Sequence, residues 1–478
     1  MKDIANLLLA VLGSCSVAIR HNWLMIKSVS PFDGRVVGQY QEASPEDVES
    51  AITTAGRLQE EWGELPIPER ARPMSRLAEI LEQRRDDLAV LMADEMGKPV
   101  SQGIGEVDKC AWVCRHYAEH TGEMLTPRYI DADRTKSYVA YRPLGVILAV
   151  MPWNFPLWQV LRFLAPALMG GNGGILKHAS NVTGCGLAID EMVVEAGFPD
   201  GLFRTLVLPS SRVNEVLEHP GIVAATLTGS DPAGRAVAEK AGSLLKKTVL
   251  ELGGSDPSIV LADADLQMAA DTCAAARLIN GGQSCIAAKR FIVEGSAVGE
   301  FTDRLAEGMS KAVMGDPRDP ETTLGPMARM DLRDELHAQV EKSVSMGARL
   351  VIGGEIPDRE GAFYPPTLLA EVTEGMPAYH EETFGPVAAV ISARDLDEAV
   401  GIANDTDFGL GAAIYTSDLE LGEQVARDRI EAGSVFVNAL VASDPRLPFG
   451  GIKMSGYGRE LSDLGLKEFL NAKTVVVA

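Results

Sequence analysis

The spacing of hydrophobic and polar positions changes along the chain. Between Pro45 and Glu119 the apolar residues recur at helical spacing, and Gly97-Lys98-Pro99 interrupts them like a helix stop. From about Val146, short β-rich runs such as VILAVMP and IVAATLTG alternate with helical stretches. This order is typical of parallel strands joined by crossover helices, so it predicts a doubly wound α/β sheet with a nucleotide site at its strand ends.

A second series of strand-like runs follows Gly254 and includes RFIVEG, PVAAVISA and GAAIYTS. It predicts a second α/β domain from about residue 255 to 450. The alternating segment KSYVAYRPL near residues 136–144 and the C-terminal KTVVVA fit neither domain. We interpret both as strands at an interface.

The N-terminus has a different pattern, an uncharged apolar run from Ile4 to Ile19. The run is shorter than the roughly 20 residues that span a bilayer, but it resembles a signal-peptide core, and Leu12-Gly13-Ser14-Cys15 is similar to the box around a lipidated cysteine. Asp3, where a basic residue belongs, favours an upstream extension or a mis-called start over residues 1–24. On that interpretation the protein is cytoplasmic, and the alternative is export or a membrane anchor.

Composition and charge narrow the possible partners. The 478 residues are 46% hydrophobic and 23% charged, which is enough apolar material for more than one core. The net charge of −23 repels phosphate backbones and anionic lipids, so we expect neither nucleic acid nor a membrane as partner. The six cysteines are too sparse for a disulfide framework and are interpreted as thiols. The pairs Cys110/Cys114 and His116/His120 point to different sides of a helix, so no metal is expected.

Three segments contain candidate chemistry. Cys285 follows the glycine-rich INGGQS and is either a small buried thiol or a nucleophile beside bared backbone N–H groups. Glu251 stands between two leucines and is either paired in the structure or a base. Asn154, in MPWNFP, either satisfies its own rigid loop or donates its amide to an oxyanion. No one of these segments decides between its alternatives alone.

Together and in this order, the three segments strongly resemble the aldehyde dehydrogenase superfamily. Further matches are LKHAS at 176–180, TGS at 228–230, EETFGP at 381–386 and PFGG at 448–451, with Ser455-Gly456. The resemblance covers nearly everything after residue 25. The run RPLGVILAVMPWNFPLWQVLR, with LKHASNVTGC, is most similar to the bacterial succinate-semialdehyde dehydrogenases.

The resemblance implies an aldehyde dehydrogenase-like α/β fold with a variant Rossmann domain. A dinucleotide-binding domain would comprise residues 25–125 and 145–253, and an α/β catalytic domain residues 254–455. Residues 126–144 and 456–478 would form a small β element that adds strands to a neighbouring subunit, which implies a homodimer or homotetramer.

The resemblance also implies the chemistry. Cys285 would attack an aldehyde, the Asn154 amide and the Cys285 N–H would hold the oxyanion, and Glu251 would activate the water that hydrolyses the thioester. Glu251 disfavours the coenzyme-A-acylating relatives, which lack that glutamate. A cysteine acyltransferase and a catalytically silent homologue are the competing classes. The presence of all three residues argues against silence, and hydride acceptance would exclude an acyltransferase.

The cofactor contacts follow from the same resemblance. We expect contacts with the adenosine ribose (Trp153, Lys177), the pyrophosphate (Gly229, Ser230), the nicotinamide (Leu252) and its ribose (Glu382, Phe384). Ser180 stands where NAD-preferring relatives often carry a glutamate that repels a 2′-phosphate. With Lys177 nearby, NADP should be tolerated, and use of both NADP and NAD is expected.

For the substrate, Arg162 occupies the position where succinate-semialdehyde enzymes of this kind hold the distal carboxylate. The alternative is an ordinary salt bridge on a helix surface. A second carboxylate-binding arginine of some members would fall at Ile279, which weakens the assignment. We therefore expect oxidation of succinate semialdehyde to succinate, with another aliphatic or carboxylated semialdehyde as the alternative.

Overall fold

The computed structural model describes residues 25–478. The predicted N-terminal extension, residues 1–24, lies outside the described residues. Four sheets order the strands: one of seven strands, one of six, one of three and one of two.

The strands are β1 (Met25–Val29), β2 (Val36–Gln41), β3 (Arg128–Tyr129), β4 (Lys136–Pro143), β5 (Val146–Met151), β6 (Gly173–His178), β7 (Phe203–Thr205), β8 (Ile222–Thr228), β9 (Lys247–Glu251), β10 (Pro257–Val260), β11 (Arg290–Glu294), β12 (Arg349–Ile352), β13 (Thr367–Ala370), β14 (Val387–Ala393), β15 (Gly411–Tyr415), β16 (Ser434–Val437), β17 (Gly456–Tyr457) and β18 (Leu470–Val477).

The α-helices are α1 (Pro45–Glu64), α2 (Ile67–Gln83), α3 (Arg85–Met96), α4 (Val100–Met124), α5 (Trp158–Met169), α6 (Thr183–Glu195), α7 (Val213–Glu218), α8 (Asp231–Ser243), α9 (Leu266–Leu278), α10 (Val298–Ser310), α11 (Met330–Ser345), α12 (Pro377–His380), α13 (Leu396–Asn404), α14 (Leu419–Asp428) and α15 (Ser462–Glu468).

The six-stranded sheet has the order β17-β9-β8-β5-β6-β7. Its strands are parallel except for β17, which runs antiparallel to β9. Alternate residues of β5 enter two different cores, because successive side chains of a strand point to opposite faces. Ile147 and Ala149 pack with α5, and Leu148 packs with α1. Helices therefore cover both faces, as a parallel sheet requires.

The seven-stranded sheet has the order β12-β13-β14-β11-β10-β15-β16 and is parallel except at its β12 edge. Helices α9 and α10 cover one face, where Phe291 is buried, and α11, α13 and α14 cover the other, where Ile292 is buried. Two parallel sheets with crossover helices confirm the predicted α/β fold class.

The three-stranded sheet has the order β18-β4-β3 and is antiparallel. Its register pairs Leu470 with Pro143 and Val477 with Lys136, so the two segments predicted as interface strands pair with each other. Most of their side chains are exposed or half-buried. Among residues 25–478, no helix combines the length and the apolar composition that crossing a bilayer requires.

Candidate active site

Several of the predicted site residues lie at one edge of the six-stranded sheet. Trp153 and Asn154 follow β5, Lys177 is near the end of β6, Gly229 follows β8, and Glu251 ends β9. These four strands are parallel, so their carboxyl ends meet at the same edge. This edge is where open α/β sheets bind their ligands.

Cys285 lies in a short loop between α9 and β11, and it is half-buried. The residues before it, Asn280, Gly281 and Gly282, all have positive φ. A Cβ at Gly282 would lie 2.2 Å from the carbonyl oxygen of Gly385, so this turn approaches the neighbouring backbone as only glycine can. The loop therefore has a fixed, tightly packed course.

Lys289 stabilises the same loop through hydrogen bonds to its backbone. Its buried ammonium donates to the carbonyl oxygens of Cys285 at 2.8 Å, Ser284 at 3.1 Å and Ala287 at 3.2 Å. Burial lowers the pKa of Lys289, and the nearby Glu382, 3.5 Å away, opposes that effect. A cation thus contacts the backbone of the Cys285 loop directly.

Asn154 connects the first sheet to this loop. The side-chain Nδ2 of Asn154 donates to the backbone carbonyl oxygen of Gln283 at 3.2 Å. The backbone carbonyl oxygen of Asn154 accepts from Asn280 Nδ2 at 2.7 Å. An amide NH₂ has two protons, so one remains for a ligand. The Cys285 backbone N–H donates to none of the described residues. These two donors can therefore serve an oxyanion formed beside the sulfur.

Burial raises the pKa of the Cys285 thiol to about 12, while the positive charges of Arg162 and Lys289 lower it. The thiolate, and not the thiol, is the nucleophile. These two cations are thus the groups in the structure that favour thiolate formation.

Glu251 lies in a group of buried charges. It is 2% exposed, and neither carboxylate oxygen accepts a hydrogen bond from the described residues. Burial, together with the negative charge of Glu460, holds the pKa of Glu251 well above its usual range, and Arg162 opposes this. A carboxyl with a raised pKa and no structural partner has the properties of a general base that accepts a proton from water.

Arg162 belongs to α5, in which every residue is buried. It forms an ion pair with Glu460, and its guanidinium lies 4.6 Å from the centroid of the Phe449 ring. The alternative of a salt bridge on a helix surface is therefore wrong in its location, because the ion pair is buried.

A cavity of about 270 Å³ opens beside Cys285. Much of its wall is apolar, with Phe155, Trp158 and Phe449 among the lining residues, and Lys109 and Arg162 contribute positive charge. A small apolar pocket with a few convergent polar groups is typical of a site for a small organic substrate.

The expected pyrophosphate residues lie at a helix end. Ser230 is the N-cap of α8, and its side chain makes no capping hydrogen bond. The first N–H groups of a helix attract anions such as a pyrophosphate. Leu252 lies against the same helix, since a Cβ added at Gly234 would be 2.6 Å from its Cδ2.

Two more of the expected cofactor residues, Lys177 and Ser180, lie at and just after the end of β6. Lys177 donates to Ser210 Oγ at 3.2 Å, and burial lowers the pKa of Lys177 to about 8. Ser180 begins the turn after β6. A buried cation without a carboxylate partner in residues 25–478 suits a ribose or phosphate oxygen. The residues present therefore fit a dinucleotide.

Glu382 and Phe384 precede β14 of the seven-stranded sheet and contact residues that follow strands of the six-stranded sheet. Glu382 Oε1 accepts from the Gly254 N–H at 3.0 Å, and the Phe384 ring meets the Trp153 ring edge-on at 5.7 Å. The predicted nicotinamide-side residues thus lie where the two sheets meet.

Sequence reasoning missed Lys109, Asn280, Lys289 and Glu460. Lys289 had one available signal, a charged residue directly before the apolar strand β11. The predicted absence of a metal stays a prediction: Cys110 and Cys114 are buried in α4, and His116 stacks beside His120 with 4.9 Å between ring centroids.

Fold and site together define an α/β protein with two largely parallel sheets, a half-buried cysteine beside a small cavity, and nearby residues that fit a dinucleotide. The model of the family described as "Aldehyde dehydrogenase family" matches residues 20–475. A relative from Synechocystis, named probable succinate-semialdehyde dehydrogenase [NADP(+)], is 49% identical over 95% of this chain and 100% of its own length. The Escherichia coli succinate semialdehyde dehydrogenase [NAD(P)+] Sad is 47% identical over 94% of this chain and 97% of its own.

A solved structure is similar over the same extent. The succinic semialdehyde dehydrogenase of Streptococcus pyogenes, in complex with NADP+, superposes with a TM-score of 0.92 at 38% identity and covers 95% of this chain and 99% of its own. The chain belongs to the aldehyde dehydrogenase family, as its motifs predicted.

Proposed function

We propose that the protein oxidises succinate semialdehyde to succinate, with NADP+ or NAD+ as electron acceptor. The carrying observation is that Cys285 and two cationic side chains, Lys109 and Arg162, line one cavity that is otherwise largely apolar. A short aldehyde with a carboxylate at its far end matches that distribution. The names of the relatives from Synechocystis and Escherichia coli support the substrate and the use of either cofactor.

In the first step the Cys285 sulfur attacks the aldehyde carbon as a thiolate, favoured by the charges of Arg162 and Lys289. The carbonyl oxygen becomes an oxyanion, which accepts hydrogen bonds from Asn154 Nδ2 and from the Cys285 N–H. Because both donors are fixed by the turn at Asn280, little reorganisation is needed as the charge develops.

When bound, NAD(P)+ supplies the two-electron acceptor that converts the hemithioacetal into a thioester. Lys177 and Ser210 would hold its adenosine part, and the N-terminus of α8 its pyrophosphate. The absence of a carboxylate at Ser180 is consistent with acceptance of the 2′-phosphate of NADP+.

Glu251 then takes a proton from water, and the resulting hydroxide attacks the thioester carbon. The carbon–sulfur bond breaks, the sulfur leaves as thiolate, and the carboxylic acid is released. The buried position of Glu251, free of hydrogen bonds from the described residues, suits this role because its raised pKa makes it a stronger base than an exposed carboxylate.

The organisation of the chain is proposed on the same grounds. Residues 25–125 and 145–253 form the dinucleotide-binding domain, residues 254–455 the catalytic domain, and residues 126–144 and 456–478 the oligomerisation element. Strand β18 is the edge of its sheet, and Val476 and Val477 are 54% and 46% exposed, which supports a homodimer or homotetramer built at this edge. We also propose a cytoplasmic location.

The test is a panel of aldehydes assayed with each cofactor by the absorbance of reduced nicotinamide. We expect succinate semialdehyde to give the highest kcat/KM. A wide advantage for acetaldehyde or an aromatic aldehyde would overturn the substrate, and the absence of any nicotinamide reduction would overturn the reaction and favour an acyltransferase or a silent homologue.

A further inference from the structure

The charges around the substrate cavity do not balance. Its lining contains three charged side chains, Glu106, Lys109 and Arg162. Arg162 is paired with the buried Glu460. Glu106 forms an ion pair with the buried Lys98 and also accepts hydrogen bonds from two backbone N–H groups at the start of α5. Lys109 is thus the lining charge that lacks an opposite charge within ion-pair distance in residues 25–478.

The surroundings of Lys109 are polar on one side and aromatic on the other. Its Nζ donates to Ser443 Oγ at 2.8 Å and lies 4.5 Å from the centroid of the Trp158 ring. Asp444, which follows Ser443, forms an ion pair with Arg446 at 2.6 Å and not with Lys109. Among residues 25–478, the hydrogen-bond acceptor of this partly buried ammonium is a neutral hydroxyl, which does not compensate for the hydration that the charge has lost.

A carboxylate in the cavity would supply the missing charge. The Ser443 hydroxyl accepts from Lys109, so its own proton is free to be donated to the same ligand. Hydrogen bonds from an ammonium to a carboxylate are short and about twice as strong as neutral ones. Arg162 supplies a weaker net attraction, because Glu460 compensates part of its charge.

We propose that Lys109, with Ser443, binds the distal carboxylate of the aldehyde and determines the specificity of this site for carboxylated substrates. The inference rests on the proposed function, since it assigns the recognition of that same substrate. Arg162 then serves mainly to hold Glu460 and to favour the thiolate, and Lys109 distinguishes a semialdehyde acid from an uncharged aldehyde of equal length.

The experiment compares succinate semialdehyde with butanal, which has the same carbon chain and no carboxylate. In Lys109→Met we expect KM for succinate semialdehyde to rise by about 30-fold or more, as for other truncated buried charge contacts. The kcat of this variant with succinate semialdehyde and its KM for butanal should stay within about 3-fold of the wild-type values. The chemical steps do not use the distal carboxylate, and butanal has none. Lys109→Arg should restore part of the affinity, and Ser443→Ala should raise KM by a smaller factor.

Lys311→Met is the matched control, because Lys311 is an exposed lysine that is absent from the cavity lining and pairs with Glu307 on the surface of α10. It should leave both substrates unchanged. Melting temperatures and titration of succinate into each variant separate loss of recognition from loss of folding: Lys109→Met should remain folded and bind succinate more weakly.

The outcomes distinguish the two proposals. If the wild-type enzyme itself prefers butanal, the proposed function fails. If it prefers succinate semialdehyde and Lys109→Met keeps that preference, the inference about Lys109 fails while the function stands. An equal loss with both substrates, or a folded variant with unchanged succinate affinity, would also overturn the role of Lys109.

Discussion

The buried charges beside Glu251 predict how one substitution changes the pH dependence of turnover. Glu251 and Arg162 are each 2% exposed and Glu460 is 5% exposed, so water screens their interactions only weakly. With Arg162 paired to Glu460, the group is neutral when Glu251 carries a proton. Burial and this charge balance together explain why the pKa of Glu251 lies well above its usual range.

Glu460→Gln keeps the shape of the side chain and removes its charge. Glu251 then becomes the counter-ion of Arg162, and a nearby opposite charge lowers the pKa of a carboxyl by about 1–3 units. That shift corresponds to about 1.4–4 kcal/mol. Glu251 acts as a base only when ionised, so its contribution is present above its pKa and lost as the pH falls through it. We expect the acid limb of thioester hydrolysis to move to lower pH.

Rapid mixing separates the steps: a burst of reduced nicotinamide reports thioester formation, and the steady-state rate reports hydrolysis when this step limits turnover. The pH profile is measured for both. Glu431→Gln, which removes an exposed carboxylate paired with Lys453, is the control and should leave the profile unchanged. An acid limb that stays in place or moves to higher pH in folded Glu460→Gln would refute the reasoning.

Three further substitutions test the remaining roles. Cys285→Ala should lower turnover by at least about 1000-fold while leaving NADP+ binding intact, measured by fluorescence titration, because the nucleophile is lost and the cofactor cleft is not. Asn154→Ala should lower kcat by about 100- to 1000-fold with little change in KM, in single-turnover assays, and a loss below about 10-fold would contradict its role as oxyanion donor. Ser180→Glu should lower kcat/KM for NADP+ by about 10-fold or more and for NAD+ by less than about 3-fold, because the new carboxylate repels only the 2′-phosphate.

Local pattern was sufficient to predict the layers of the fold. The short β-rich run VILAV predicted a strand, and β5 divides its side chains between two cores. The strand character of KSYVAYRPL and KTVVVA was also visible. The resemblance also implied that both segments belong to one small β element, but their register was not visible, because the alignment of distant strands depends on tertiary packing that one sequence does not display.

The proposed catalytic residues were easier to single out in the sequence than the charged groups around them. Asn154, Glu251 and Cys285 stand in short motifs whose residue types match a known chemistry. Glu460 and Lys109 stand in ordinary helical or polar sequence, and their importance comes from distant partners, such as Arg162 for Glu460. Charge balance within a buried site requires coordinates, since it depends on which charges lie within a few ångströms of one another.

The hydrogen bonds that join Asn154 to Asn280 and Gln283 connect the edge of one sheet to the Cys285 loop of the other. The distance from the Asn154 amide to the Cys285 sulfur is therefore set by how the two sheets pack together, and not within either sheet alone. Catalysis should for this reason be the first property lost on gentle warming or in dilute denaturant, before helix content falls. Selection for a more durable catalyst would then act most effectively on residues between the two sheets, which can be distant from Cys285 in sequence but fix the geometry around it.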